Sequence, residues 1–76
     1  MTDAQKYCMA DESLTRLRVQ ALADEMSLCA TYERYYELGQ RHYWLMTAIY
    51  HGSPSLFDWA KSVLNEANEK AEERLS

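Results

Sequence analysis

Residues that interrupt helices are scarce in this 76-residue chain, which contains only two glycines and one proline. Gly39 and the turn at Gly52–Pro54 are therefore the clearest stopping points, and everything before Gly39 is compatible with one long helix. Cysteine is also rare. If Cys8 and Cys29 lie on one continuous helix they are about 31 Å apart, which excludes a disulfide between them. We expect both to be buried small hydrophobic residues.

Long apolar segments and excess positive charge are absent too. The longest nearly apolar segment, residues 43–50, is far shorter than a membrane span, and the N-terminus lacks the apolar core of a signal peptide. The formal net charge is −4 and the eight basic residues are scattered, which argues against direct binding to nucleic acid. These features predict a soluble cytoplasmic protein that does not bind membranes.

Apolar or aromatic pairs recur along the chain at intervals of seven residues or multiples of seven. Because seven residues are close to two helical turns, successive pairs fall on the same side of a helix. The pattern predicts an all-α protein that packs along one broad stripe. The pairs are Tyr7-Cys8, Ala21-Leu22, Leu28-Cys29, Tyr35-Tyr36, Ile49-Tyr50, Leu56-Phe57 and Val63-Leu64, and Leu14-Thr15 and His42-Tyr43 each add one apolar member.

These signals predict a helical hairpin or three-helix unit with helices at about 12–38, 40–51 and 54–75. Residues 1–11 form an N-terminal arm, or a helix extension capped by Thr2 and Gln5. The first helix is unusually long, and a break near Ser27–Thr31 is an alternative because Ser and Thr are weak helix formers. Its predicted core seam is Leu14, Leu17, Ala21, Leu28, Tyr35 and Leu38.

The second and third helices have different patterns. Residues 40–51 are apolar on nearly all sides, and so small a chain cannot cover them alone, which predicts a homodimer. The third helix has a stripe of small and apolar residues toward the core, and its exposed face after Asn65 is mostly acidic. The stripe is Phe57, Ala60, Leu64, Ala67 and Ala71, with Leu56 and Val63 beside it.

No pattern of catalytic or metal-binding residues accompanies the helices. His42 and His51 have no Cys or carboxylate neighbours at metal-ligand spacing, and Glu33 and Glu37 lack the Glu-x-x-His motif of di-metal bundles. No Ser or Cys is spaced with a base, and the arginines that could bind an anionic substrate do not share a face. We therefore predict a non-enzyme with no cofactor and no metal. Those arginines are Arg16, Arg34 and Arg41.

Eight of the nine aromatic residues lie between Tyr32 and Trp59, more than one core seam can bury. Tyr, Trp and Arg are enriched at the centres of protein interfaces. A small core built from large side chains is the alternative explanation. We predict a partner-binding surface, with Arg34 also at its polar rim, composed of Tyr32, Tyr35, Tyr36, Arg41 and Trp44.

In size and helical-hairpin pattern the chain is similar to small accessory proteins, such as phage-encoded inhibitors of host proteins and co-chaperones of type III secretion needles. The likeness covers shape and composition and carries no residue-level motif. It fits a protein-interaction module that acts as an inhibitor, adaptor or regulatory subunit of another protein. Two alternatives remain: a secretion-type co-chaperone, and an acidic mimic of nucleic acid that would use the cluster Glu66, Glu69, Glu72 and Glu73.

Overall fold

Three α-helices make up most of the computed structural model, which describes residues 12–76. The helices are α1 (Glu12–Ser27), α2 (Tyr32–Gly52) and α3 (Phe57–Leu75), and a single 3-10 turn (Pro54–Leu56) joins the last two. The described residues contain no β-strand, which confirms the all-α prediction. The predicted arm at residues 1–11, the cap at Thr2 and the environment of Cys8 lie outside the described residues.

The first helix is shorter than predicted because the chain breaks between Ser27 and Tyr32. Thr31 has extended backbone angles (φ −136°, ψ 154°), and its side-chain oxygen accepts a hydrogen bond from the backbone N–H of Arg34 at 3.2 Å. A threonine in this position satisfies one of the free N–H groups at the start of a helix. The predicted helix 12–38 is therefore present only in part: Glu12–Ser27 forms α1, and the alternative break near Ser27–Thr31 is the one that the chain uses.

Gly39 does not end a helix, as the prediction had it, but lies well inside α2. A Cβ atom added at this position would meet no side chain or other non-local atom within 4 Å. The packing of the described residues therefore does not demand a glycine here. The C-terminal end of α2 agrees better with the sequence: His51 occupies the last turn, and the N–H of Ser53 closes the helix by donating to the Ile49 carbonyl oxygen at 2.8 Å.

The core lies where α1 and α3 pack against each other and α2 covers them. Most of the predicted stripe on α3 is confirmed, since Ala60, Leu64, Ala67 and Ala71 are buried together with the adjacent Leu56, whereas Phe57 and Val63 are only partly buried. The predicted seam on α1 is wrong, because Leu17 and Leu28 are 62% and 71% exposed. The core is formed by a different side of α1, so the predicted seam already fails within this helix and not only at the break after Ser27. The residues of the 12–31 segment that are buried are Thr15, Val19, Leu22, Ala23, Met26 and Cys29.

Cys29 closes one end of this core from the connection between α1 and α2. Its side chain is 2% exposed, and its thiol donates to the carbonyl oxygen of Thr31 at 3.2 Å. The backbone of the same residue is held from the other side, because Nε of Arg74 donates to the Cys29 carbonyl oxygen at 3.3 Å. The loop is therefore attached to the last turn of α3.

We expect Gly39→Ala to stabilise the folded chain. Alanine costs roughly 1 kcal/mol less than glycine in a helix interior, and the added methyl group meets no clash. Urea denaturation at low micromolar concentration should show an increase of this size in the free energy of unfolding. A decrease would show that the space beside Gly39 is filled.

We expect the Cys29 thiol to react at least about tenfold more slowly with a thiol reagent in the folded chain than in denaturant, because reaction requires local opening. The measurement uses a Cys8→Ser variant so that only Cys29 is labelled. Equal rates in the two conditions would contradict the burial of this side chain.

Candidate interaction surface

Four exposed tyrosines lie along the side of α2 that turns away from the core. Tyr32, Tyr36, Tyr43 and Tyr50 are 58%, 69%, 67% and 63% exposed. Their spacings of four, seven and seven residues bring them onto one side of the helix. Gly39 and Met46 fall in the same line between them. We call this set of six residues the tyrosine face.

Two shallow hollows flank the middle of the tyrosine face, and both are bounded by Gly39 and Tyr43. The larger has a volume of about 480 Å³ and extends past Met46 to Phe57 at the start of α3. The second has a volume of about 360 Å³ and extends past Tyr36 to Asn68. Among the described residues, His42 is the only acidic or basic side chain that lines either hollow. Because Gly39 has no side chain, the ridge of rings is interrupted by a notch.

Neighbouring rings hold several of these tyrosines in edge-to-face contact. The ring centroids of Tyr43 and Trp44 are 5.6 Å apart at 78°, and those of Tyr50 and Phe57 are 5.8 Å apart at 76°. Such geometry is favourable for aromatic pairs and adds to the area they bury. The exposed rings are thus oriented before anything binds to them.

The predicted site residues are only partly brought together. Tyr32 and Tyr36 belong to the tyrosine face, and Trp44 lies at its edge, 45% exposed. Tyr35 instead packs toward α3, where its hydroxyl donates to Oε1 of Glu72 at 3.0 Å. Its partial burial and this hydrogen bond raise the pKa of the Tyr35 phenol. Tyr35 is therefore partly a core residue.

The two arginines predicted at the surface lie on a different side of α2. Nη1 of Arg41 donates to Oε2 of Glu25 on α1 at 3.1 Å, and Nη2 of Arg34 lies 3.7 Å from the same oxygen. These ion pairs are exposed to solvent and therefore contribute little to stability. The structure thus does not place Arg34 or Arg41 at the rim of the tyrosine face, because both face α1.

Sequence reasoning missed Tyr43, Tyr50 and Gly39 as members of this surface. A signal was available, because Tyr36, Tyr43 and Tyr50 are spaced at seven residues, and Gly39 and Met46 follow the same period. The pattern was assigned to a core stripe. In α2 the first member of each apolar pair faces the core, as Ile49 does, and the tyrosine that follows it faces outward.

Two further properties concern only residues 12–76. Within them no group of three His, Cys, Asp or Glu side chains is arranged to hold a metal ion. No helix of this region is long and apolar enough to cross a membrane.

Comparisons with known proteins find no matching family model, and no curated protein or solved structure is significantly similar to the chain.

We expect the stability of the folded chain to fall as the pH decreases below about 6.5. Partial burial of His42 disfavours its charged form and lowers its pKa below the ordinary value of 6.5. The unfolded chain therefore binds this proton more readily, so the free energy of unfolding declines from pH 6.5 down to the lower folded-state pKa and then levels off. Urea denaturation at a series of pH values measures the decline.

His42→Gln should remove this part of the pH dependence, and His51→Gln, the matched control on the same helix, should keep it. If the decline were the same with glutamine at position 42, it would arise from another group.

Proposed function

We propose that this chain is a small cytoplasmic protein-interaction module that acts by binding another protein chain, as an inhibitor, adaptor or regulatory subunit. The observation that carries the proposal is the tyrosine face of α2. Four large aromatic side chains stand mostly exposed in one line, beside hollows that no carboxylate, lysine or arginine of residues 12–76 lines. Aromatic residues without flanking charge are typical of the desolvated centre of a protein interface.

The core does not account for these tyrosines. Met26, Leu38, Ile49 and Leu64 are each 2% exposed or less and pack together without any ring of the tyrosine face. Scattered exposed apolar residues are ordinary on small proteins, but a continuous row of them is not. A row whose four rings are not part of the core cluster is best explained by something that binds it.

The interaction proposal covers more than one kind of partner. An adaptor of the secretion co-chaperone kind would use the same surface, and self-association belongs to the proposal because a second copy presents the same face. The chain is not proposed to be an enzyme. In each case binding would bury tyrosine rings and leave the charged side chains of α1 and α3 in solvent.

Mimicry of nucleic acid is less well supported by the surface of α3. Such a mimic needs an uninterrupted row of carboxylates, and here basic side chains lie among them. Nζ of Lys70 is 3.7 Å from Oε1 of Glu66, and Arg74 follows in the last turn. The hydroxyl of Tyr35 and the amide of Asn68 both donate to Glu72, which directs that carboxylate toward α2.

Photo-crosslinking in cells tests the proposal. A photoreactive phenylalanine analogue replaces Tyr43, and we expect adducts with a protein, either another copy of the chain or a different one. Matched controls carry the analogue at Leu17, an exposed apolar residue of α1, or at Glu69 on α3. Circular dichroism establishes that each variant is folded.

The adducts are identified by mass spectrometry, and each candidate is then titrated with purified wild-type chain and with Tyr36→Ala and Tyr43→Ala. Loss of affinity of at least about tenfold, without loss of helicity, supports the tyrosine face as the contact surface. Adducts that form only from position 69 would contradict the proposal and favour the acidic surface of α3.

A further inference from the structure

We propose that the tyrosine face is occupied by α2 of a second copy of this chain, with the two helices antiparallel about a two-fold axis near residue 41. This inference rests on the proposed function, because it takes the tyrosine face as a contact surface, and it adds the identity and the register of the occupant. In this geometry each residue of the tyrosine face lies opposite one particular residue of the second copy.

The spacing along the tyrosine face reads the same in both directions. Its members are separated by four, three, four, three and four residues: Tyr32, Tyr36, Gly39, Tyr43, Met46 and Tyr50. This alternation is the seam of a coiled coil, in which side chains of one helix enter the spaces of the other. A two-fold axis also requires that the same surface patch serve both copies.

An antiparallel arrangement pairs these residues in three kinds of layer. Tyr32 lies against the partner's Tyr50, Tyr36 against the partner's Met46, and Gly39 against the partner's Tyr43. Each layer occurs twice because of the symmetry. The six layers extend over about 27 Å of helix at 1.5 Å per residue.

The Gly39 layer is the most informative of the three. A Cβ atom at position 39 would meet no side chain or other non-local atom within 4 Å, so the described part of the monomer does not explain why the helix carries a glycine that costs it about 1 kcal/mol. In the dimer the missing side chain leaves room for the partner's Tyr43 ring. Gly39 and Tyr43 lie two residues on either side of the proposed axis near residue 41. In an antiparallel pair, Gly39 of each copy therefore faces Tyr43 of the other copy.

Charge favours this orientation. The chain carries a net charge of −4, so two copies repel each other, but the contact adds no further repulsion because the tyrosine face contains no ionisable acid or base apart from the phenols. Antiparallel helices also place the end of α2 that carries Glu33 beside the end of the partner that carries His51. Opposite ends of two helix dipoles attract each other.

The available area is close to that of the smallest specific interfaces. With about 200 Å² for a fully exposed tyrosine side chain, the exposed parts of the four rings amount to roughly 500 Å² per copy. Gln40, Met46 and Thr47 adjoin the rings and add to this area. The total for two copies then approaches the roughly 1,200 Å² at which specific protein interfaces begin.

Sedimentation equilibrium of the full chain tests the occupant. We expect wild type to have twice the monomer mass of 8.9 kDa. Tyr43→Ala and Gly39→Gln should each raise the dimer dissociation constant at least about tenfold. Leu17→Ala, which truncates an exposed apolar side chain on α1, should change the constant less than about twofold, because a rim or remote contact contributes little.

Gly39→Gln is the sharper of the two variants because it separates dimerisation from folding. Glutamine favours a helix more than glycine does, so this variant should be more stable as a monomer while it dimerises less. If the dimer of Gly39→Gln were as tight as that of wild type, the notch would not be occupied, and the register would be overturned.

Crosslinking with a short bismaleimide tests the orientation, in a Cys8→Ser, Cys29→Ala background that is confirmed to be folded. Gln40 lies next to the proposed axis, so two copies of Gln40→Cys are offset by about 3 Å along the helices, whereas two copies of Thr47→Cys are offset by about 18 Å. We expect Gln40→Cys to form crosslinked dimers efficiently and Thr47→Cys to form few. Equal crosslinking at both positions indicates parallel helices and overturns the register.

Failure of this inference can be told apart from failure of the proposed function. A chain that remains a monomer at about 100 µM, well above typical dissociation constants of specific dimers, has no second copy on the tyrosine face. If position 43 nevertheless forms adducts with a different protein, the face is a contact surface with another occupant. A monomer without adducts at position 43 would contradict both.

Discussion

The burial of Cys29 determines how the other parts of the molecule are placed. Its side chain occupies the end of the core, and its backbone carbonyl is bonded to Arg74 at the end of α3. Directly after it, Thr31 caps α2, and the hydroxyl of Tyr32 donates to the carbonyl oxygen of Leu75 at 2.8 Å. The start of α2 is therefore held by the last turn of α3. This attachment fixes the position of the first turn of α2, while the burial of Leu38, Leu45 and Ile49 fixes the rotation of the helix.

The rotation of α2 decides which side chains face solvent. With Leu38, Leu45 and Ile49 in the core, a helix of 3.6 residues per turn must direct Tyr36, Tyr43 and Tyr50 outward. The same rotation turns Arg41 toward Glu25 on α1. The exposed tyrosines and the arginines that pair with α1 therefore lie on different sides of α2. Any chain that binds the aromatic surface, including a second copy, would exclude other chains from it.

The sequence allowed the helical class and the core stripe of α3 to be predicted, because both depend on local periodicity. The alanines and Leu64 on α3 recur at helical spacing within one uninterrupted segment. The position of the break between α1 and α2 was harder to predict. Gly39 is a weaker helix former than Ser27 or Thr31, so local propensity favours a break at Gly39, yet α2 continues through this residue. The first helix ends at Ser27 and the second begins after Thr31, because the Thr31 side chain caps the second helix and the burial of Cys29 favours the turn between them.

The candidate surface was predictable in kind but not in membership. The excess of aromatic residues in the middle of the chain indicated that some must be exposed. Which ones are exposed depends on the rotation of α2, and that rotation follows from which residues of α2 pack into the core, which local spacing does not determine. Tyr35 and Arg41 were therefore assigned to a surface from which tertiary contacts remove them.

The attachment of the α1–α2 connection to α3 also has a consequence for folding kinetics. The hydrogen bond between Arg74 and Cys29 joins residues 45 positions apart, whereas most other contacts in a helical protein are local. Helices form within about a microsecond, but closing so long a segment carries an entropic cost that is met only when the last turn of α3 docks. The first turn of α2 should then acquire its protection against hydrogen exchange together with the end of α3, and not with the middle of its own helix.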